Sequence, residues 1–163
     1  MIEMNANLEE FFKKQQELDT FILESKGLEL DNYRKNQLTL ALFDEVCELL
    51  NKTRVHKFWS NKGMDEKAVL IEEYVDTWHF LLSVGNSLGV CTEHSGIISN
   101  RTFVEQFRAI LFTMNDVFTP IGWTLVVSYW KGLGHMLGFT DDEVKDAYNR
   151  KYEINIQRQK EGY

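Results

Sequence analysis

Two short acidic clusters carry the residue types best suited to chemistry in this chain. Asp44-Glu45-Val46-Cys47-Glu48 lies in LALFDEVCELL, and Glu72-Glu73-Tyr74-Val75-Asp76 lies in VLIEEYVDTWHFLL. Each contains two carboxylates three residues apart, Glu45 with Glu48 and Glu73 with Asp76. Residues at that spacing share a helix face, so each cluster can aim two carboxylates at one point. Four converging carboxylates repel one another. Divalent cations remove the repulsion, and hard oxygen ligands suit Mg²⁺ or Mn²⁺. The stretch between the clusters, Asn51 to Glu66, supplies the opposite charge through Lys52, Arg54, His56, Lys57 and Lys62, with Phe58 and Trp59 among them. In a chain of formal net charge −7, that local excess of cations reads as a clamp for an anion such as a polyphosphate.

The elements that must position these groups are helices. Only one proline, Pro120, interrupts the sequence, and apolar residues recur at helical spacing. The pattern predicts an all-α, multi-helix bundle of about six helices. The first covers about residues 6 to 25, with Leu8, Phe11, Phe12, Leu18, Ile22 and Leu23 on its apolar side and Gly27 as its stop. The second is capped by Asp31 or Asn32 and carries Glu45 within its apolar stripe. A third covers about 66 to 88, where Glu73 and Asp76 interrupt the stripe Val69, Phe80, Val84 and His79 follows three residues after Asp76. Inward carboxylates are costly unless paired or bound to metal. Residues 91 to 100 read as loop. Helices follow at about 101 to 116, 120 to 137 and from the cap Thr140 onward. The fifth is apolar around most of its circumference, which suits either the centre of the domain or a subunit interface.

A length of 163 residues with 44% hydrophobic content fits one domain, residues 1–163, with a sizeable core of its own. The acidic balance argues against non-specific nucleic-acid binding, though not against a small phosphorylated ligand held by local cations. Cys47 and Cys91 are too few and too far apart for a disulfide framework or a zinc spacing, and read as small apolar residues. The N-terminal stretch lacks a secretory pattern, and no run approaches the roughly 18 apolar residues of a membrane helix. A cytoplasmic protein is the expectation. P-loop, G-x-G-x-x-G and C-x-x-C motifs are absent.

Blander readings compete. A lone E-x-x-E is usually a solvated face, and a lone buried histidine is usually satisfied within the core. A di-iron bundle would need two Glu-x-x-His elements, whereas Asp76-x-x-His79 offers one partial match.

Taken together, the motifs resemble the all-α nucleoside triphosphate pyrophosphohydrolases, which include the MazG-type enzymes, and within them the dimeric dUTPases. Gln15-x-x-Leu18-Asp19 is similar to the first motif of that family, Lys57-Phe58-Trp59 to its K-x-W element, and Glu73-Tyr74-Val75-Asp76-Thr77-Trp78-His79-Phe80 to its E-x-V-D-x-W-H-F segment. Lys151, Asn155, Arg158, Gln159, Gly162 and Tyr163 resemble its C-terminal signature. Tyr152 replaces an expected Asn, and Ser60 stands where some members have Lys, a role Lys62 can take from two residues later. The resemblance implies a four-helix catalytic core, a homodimer, and hydrolysis of dUTP, and often dUDP, to dUMP. It implies two or more Mg²⁺ ions, with Mn²⁺ as a substitute, on Glu45, Glu48, Glu73 and Asp76. Glu48 or Glu45 would act in catalysis. Gln15, Trp59, His79, Phe80 and Asn155 would recognise uracil and deoxyribose, the Gln15 amide reading the O4 and N3–H edge. Lys57, Lys62, Lys151, Arg158 and Tyr163 would hold phosphates, the last three on a C-terminal tail with little apolar anchoring that closes over the nucleotide. Some phage members bind repressor proteins, so a repressor-type partner is implied if the chain is of phage origin. Alternatives are a related pyrophosphohydrolase for another base, or a regulatory protein that binds nucleotide without turnover.

Overall fold

The stretch VLIEEYVDTWHFLLSVG, largely apolar despite its three acids, becomes a helix against which four others pack. In the computed structural model, which describes residues 4–90 and 95–162, the order is α1 (Met4–Lys26), α2 (Asn32–Thr53), α3 (Lys67–Leu88), α4 (Phe103–Thr113), α5 (Pro120–Met136) and α6 (Asp141–Lys160). A single 3₁₀ turn, Met114–Asp116, follows α4. The described residues contain no strand, as the all-helical expectation requires. α3 touches α1, α2, α5 and α6 and is buried around most of its circumference from Leu70 to Gly85.

Local chemistry sets the helix ends. Asp31 caps α2 by accepting from the Arg34 backbone N–H. Capping boxes open α4 at Thr102 with Glu105 and α6 at Thr140 with Glu143. The fourth helix is therefore shorter than its apolar pattern suggested, because its last residues tighten into the 3₁₀ turn. Residues 151 to 160 continue α6 to Lys160, within the helix expected from Thr140 onward.

The apolar fifth helix lies inside the chain's own core. Trp123, Val126, Val127, Trp130 and Leu133 are buried, Tyr74 stacks on Trp130 with ring centroids 5.0 Å apart, and Trp123 Nε1 donates to the Leu81 carbonyl at 2.7 Å. These residues bury the inward faces of the helix within the chain, while Ile121 and Leu125 stay exposed on its outer face. Cys47, read from sequence as a small apolar residue, is exposed, because the buried stripe of α2 runs through Leu42, Val46, Leu49 and Thr53. Cys91 lies outside the described residues.

The segment 95–100 is pinned along α5 by polar bonds rather than by regular structure. Ile98 N–H donates to the Ser128 carbonyl at 3.0 Å. Gln106 Nε2 donates to the carbonyls of Ile98 and Tyr129 at 2.8 and 2.6 Å. Gly132 is where this strap approaches α5 most closely, since an added Cβ would stand 1.9 Å from the Ile98 carbonyl oxygen. Gly132→Ala should cost about 1–3 kcal/mol of stability. Gly96→Ala, which would meet nothing within 4 Å, should be close to neutral. Urea unfolding of the two variants checks this, and equal midpoints would contradict the packing.

Candidate active site

Four helices, α1, α2, α3 and α6, enclose a cleft of about 610 Å³. Its carboxylate end is made where α2 faces α3. Glu45, Glu73 and Asp76 bring carboxylate oxygens within 4.8 Å of one another. Both Glu45 and Glu48 stand one residue before a buried residue of α2, Val46 and Leu49, so both flank the stripe on the same side. Glu45 is half-buried and Glu48 is exposed. Glu48 stands outside the close trio but is hydrogen-bonded to Glu73.

The electrostatics record the crowding. Burial, then the charges of Asp76 and Glu48, push Glu45 up from 4.5 to about 7. Asp76 is raised by burial, against the pull of its bond with Lys151. Glu48 is raised by desolvation and then by Glu73. Two lysines offset part of the charge: Lys151 Nζ lies 2.6 Å from Asp76 Oδ2, and Lys52 Nζ lies 3.5 Å from Glu73 Oε1. Three clustered carboxylates with mutual repulsion and incomplete cationic cover form an all-oxygen donor set that fits a hard divalent cation.

Beyond the carboxylates the wall becomes polar and aromatic. Gln15, Asp19, His79, Phe80 and Ser83 line it. Gln15 occupies a core position of α1, in register with buried Leu8, Phe11 and Leu18. Its Oε1 lies 2.7 Å from His79 Nδ1, its Nε2 donates to Asp19 Oδ1 at 2.8 Å, and Tyr148 stacks on His79 with centroids 4.3 Å apart. Burial holds His79 down at about 3, with a further push from Lys151, so the ring is neutral. Leu18, Ile22, Leu23, Leu30 and Leu38 supply an apolar side, and Arg34, Asn155, Arg158 and Gln159 complete the rim. An apolar wall with a few placed polar groups, beside a cluster of acids, suits a ligand with a flat organic part and an anionic part.

Of the residues singled out by sequence, Gln15, Glu45, Asp76, His79, Phe80, Lys151, Asn155 and Arg158 all line this cleft, and Glu48 and Glu73 adjoin its acidic end. Lys57, Trp59 and Lys62 do not line it. They sit in the loop between α2 and α3, where Trp59 is 68% exposed. That loop folds on itself: Arg54 adopts the left-handed conformation (φ 55°) at the end of α2, pairs with Asp65 at 2.6 Å and donates to the Gly63 carbonyl at 2.7 Å. Tyr163 lies outside the described residues. Lys151, expected on phosphate, is engaged by Asp76. Asp19, noted only as part of a motif, and Ser83, Tyr148 and Arg34 were not assigned roles from sequence. The signal for the first two was polarity inside apolar stripes, Asp19 four residues after Gln15 and Ser83 four after His79.

A family model described as dUTPase matches residues 7–163, the span that contains every one of these groups. The chain belongs to the dUTPase family. It is accordingly a dUTP diphosphatase of the all-α type. No curated protein matches the chain. No helix among the described residues is long and apolar enough to cross a membrane.

The raised Glu45 has a consequence for stability. Between its ordinary value of 4.5 and about 7, the folded chain holds a proton that the unfolded chain has lost, so this group makes stability fall as pH rises through that window. In EDTA, Glu45→Gln should be more stable than the parent at pH 8 and nearly equal to it at pH 4. A thermal-unfolding series across this range checks the sign, and a Gln variant less stable at pH 8 would contradict it.

Proposed function

We propose that the chain hydrolyses dUTP to dUMP and pyrophosphate, and dUDP to dUMP and phosphate, with Mg²⁺ held by Glu45, Glu73 and Asp76 and with Glu48 beside them. The observation that carries this reading is the convergence of three acids from two helices at one end of a cleft whose other walls are apolar and amide-lined. Mg²⁺ at such a site supplies Lewis acidity, acidifying water and offsetting the charge that builds on phosphate oxygens; Mn²⁺ satisfies the same oxygen set.

The chain's own residues do the rest. Lys151, which pairs with Asp76 at 2.6 Å, would be free to turn to a phosphate oxygen if a cation took over the carboxylate. Arg158, on the same helix face, offers a planar fork to a second phosphate. Glu48, the more open acid, accepts the proton of the attacking water. Phe80 packs beside the sugar, where a ring excludes a 2′-hydroxyl, and Asn155 faces the nucleoside from α6. Lys57, Trp59 and Lys62 meet the nucleotide when their loop closes on the cleft or when a second protomer brings it there, and Tyr163 when the C-terminal end closes. A homodimer, a single catalytic unit over 1–163 and a cytoplasmic location complete the proposal.

Pyrophosphate release from dUTP, dCTP, dTTP and UTP, each with Mg²⁺ and with EDTA, tests it. Turnover should require Mg²⁺ and favour dUTP. Preference for dCTP or dTTP would retain the metal cluster and refute the base assignment, and turnover undiminished by EDTA would refute the cluster. Glu48→Gln should lower kcat by about 10²-fold or more with the circular dichroism spectrum unchanged; unaltered kcat would remove Glu48 from the reaction.

A further inference from the structure

Each hydrogen-bonding position of Gln15 already faces a protein partner, although the Tyr148 hydroxyl proton is shared with the Phe11 carbonyl. A side-chain amide offers two donors and two acceptor lone pairs. Nε2 donates to Asp19 Oδ1 at 2.8 Å and to Ser83 Oγ at 3.1 Å. Oε1 accepts from the Tyr148 hydroxyl at 3.1 Å and lies 2.7 Å from His79 Nδ1. Gln15 can read a base edge directly only by breaking a bond it already makes. His79 is different. Its ring is 5% exposed, its Nδ1 is engaged, and its Nε2 is buried without a partner. An unsatisfied buried polar atom calls for a group that satisfies it.

The direction of the bonds fixes which ring nitrogen carries the proton. An ionised carboxylate can only accept, and Asp19, raised by burial to about 6, is ionised at neutral pH. It therefore holds the amide nitrogen of Gln15 on its own side and turns Oε1 toward His79. An oxygen facing Nδ1 requires the proton there. The neutral ring has one proton, so Nε2 is left as a bare lone pair. An amide in place of Asp19 would let Gln15 turn over, set N–H groups against Nδ1, and move the ring proton to Nε2.

We propose that Asp19 is a positioning residue which, through Gln15, holds His79 as a hydrogen-bond acceptor for a donor on the nucleoside part of the substrate. The inference rests on the dUTP reading. That nucleoside offers two donors, the imide N3–H of uracil and the 3′-hydroxyl of deoxyribose. Against the imide, the same lone pair rejects cytosine, which presents a lone pair of its own at N3.

The tautomer is read by ¹⁵N NMR of the imidazole nitrogens in the substrate-free protein at pH 7.5, with the His79 signals assigned by their loss in His79→Gln. A protonated Nδ1 and a bare Nε2 are expected; a protonated Nε2 overturns the proposal. No turnover is involved, so failure of the dUTP reading does not disturb this result. Addition of dUMP should shift the Nε2 signal, and an unmoved signal at saturating dUMP also overturns it. The kinetic arm compares kcat/KM for dUTP, dCTP and 2′,3′-dideoxyuridine triphosphate. Asp19→Asn should reduce one preference for dUTP by about tenfold: over dCTP if the imide is the donor, over the dideoxy analogue if the hydroxyl is. Both ratios unchanged in a folded Asp19→Asn overturn the positioning role, and the NMR arm stands by itself if that variant does not fold.

Discussion

Negative charge held close together and partly out of water is the constraint on which this structure turns. Glu45 comes from α2, Glu73 and Asp76 from α3, and their oxygens approach within 4.8 Å. Such a cluster opposes folding unless something compensates it. Lys151 and Lys52 compensate in part, and the raised Glu45 shows that the compensation is incomplete. The cluster survives because α3 is fixed elsewhere. Its far faces bury Tyr74, Trp78, Leu81 and Leu82, and Trp123 bonds to its backbone. Apolar packing on one side of α3 thus stabilises the electrostatic arrangement on the other.

The same division explains why the cleft lies where it does. α1, α2 and α6 each turn one face to α3, and the space between them is lined by polar groups on one side and by Leu18, Ile22, Leu23 and Leu38 on the other. Gln15 and His79, both buried, tie α1 to α3 by a bond at 2.7 Å, and Tyr148 joins them from α6. Three helices are locked by one polar network whose members satisfy each other, save for His79 Nε2. A network so nearly closed is rigid, which suits the discrimination of one flat base from another.

Much of this was legible in the sequence, and the rest was not for identifiable reasons. Helical periodicity located all six helices, because the apolar stripe of each is long and only Pro120 interrupts the chain. Glu45, Glu73 and Asp76 stood out as acids in or beside apolar stripes. Glu48 shares the spacing of Glu45 yet emerges exposed, since periodicity gives a side of a helix and not its depth. The partners of Gln15 come from α3 and α6, 64 to 133 residues away, a separation that no local pattern encodes. Trp59 carries a family-like motif, but its placement depends on the left-handed Arg54 and the Asp65 ion pair, a turn the residue types did not announce. The C-terminal segment has little apolar anchoring, yet the helix expected from Thr140 onward does run to Lys160, carried by helix propensity and the Thr140 capping box.

The most direct test is a calorimetric titration of Mg²⁺ into the parent protein and into Glu73→Gln and Asp76→Asn, at neutral pH without nucleotide and again with a non-hydrolysable dUTP analogue. If the clustered carboxylates are the metal site, the parent binds Mg²⁺, binds it more tightly with the analogue, and each substitution weakens both. Mg²⁺ binding unchanged in the two variants would contradict the assignment and leave the crowded acids without a function.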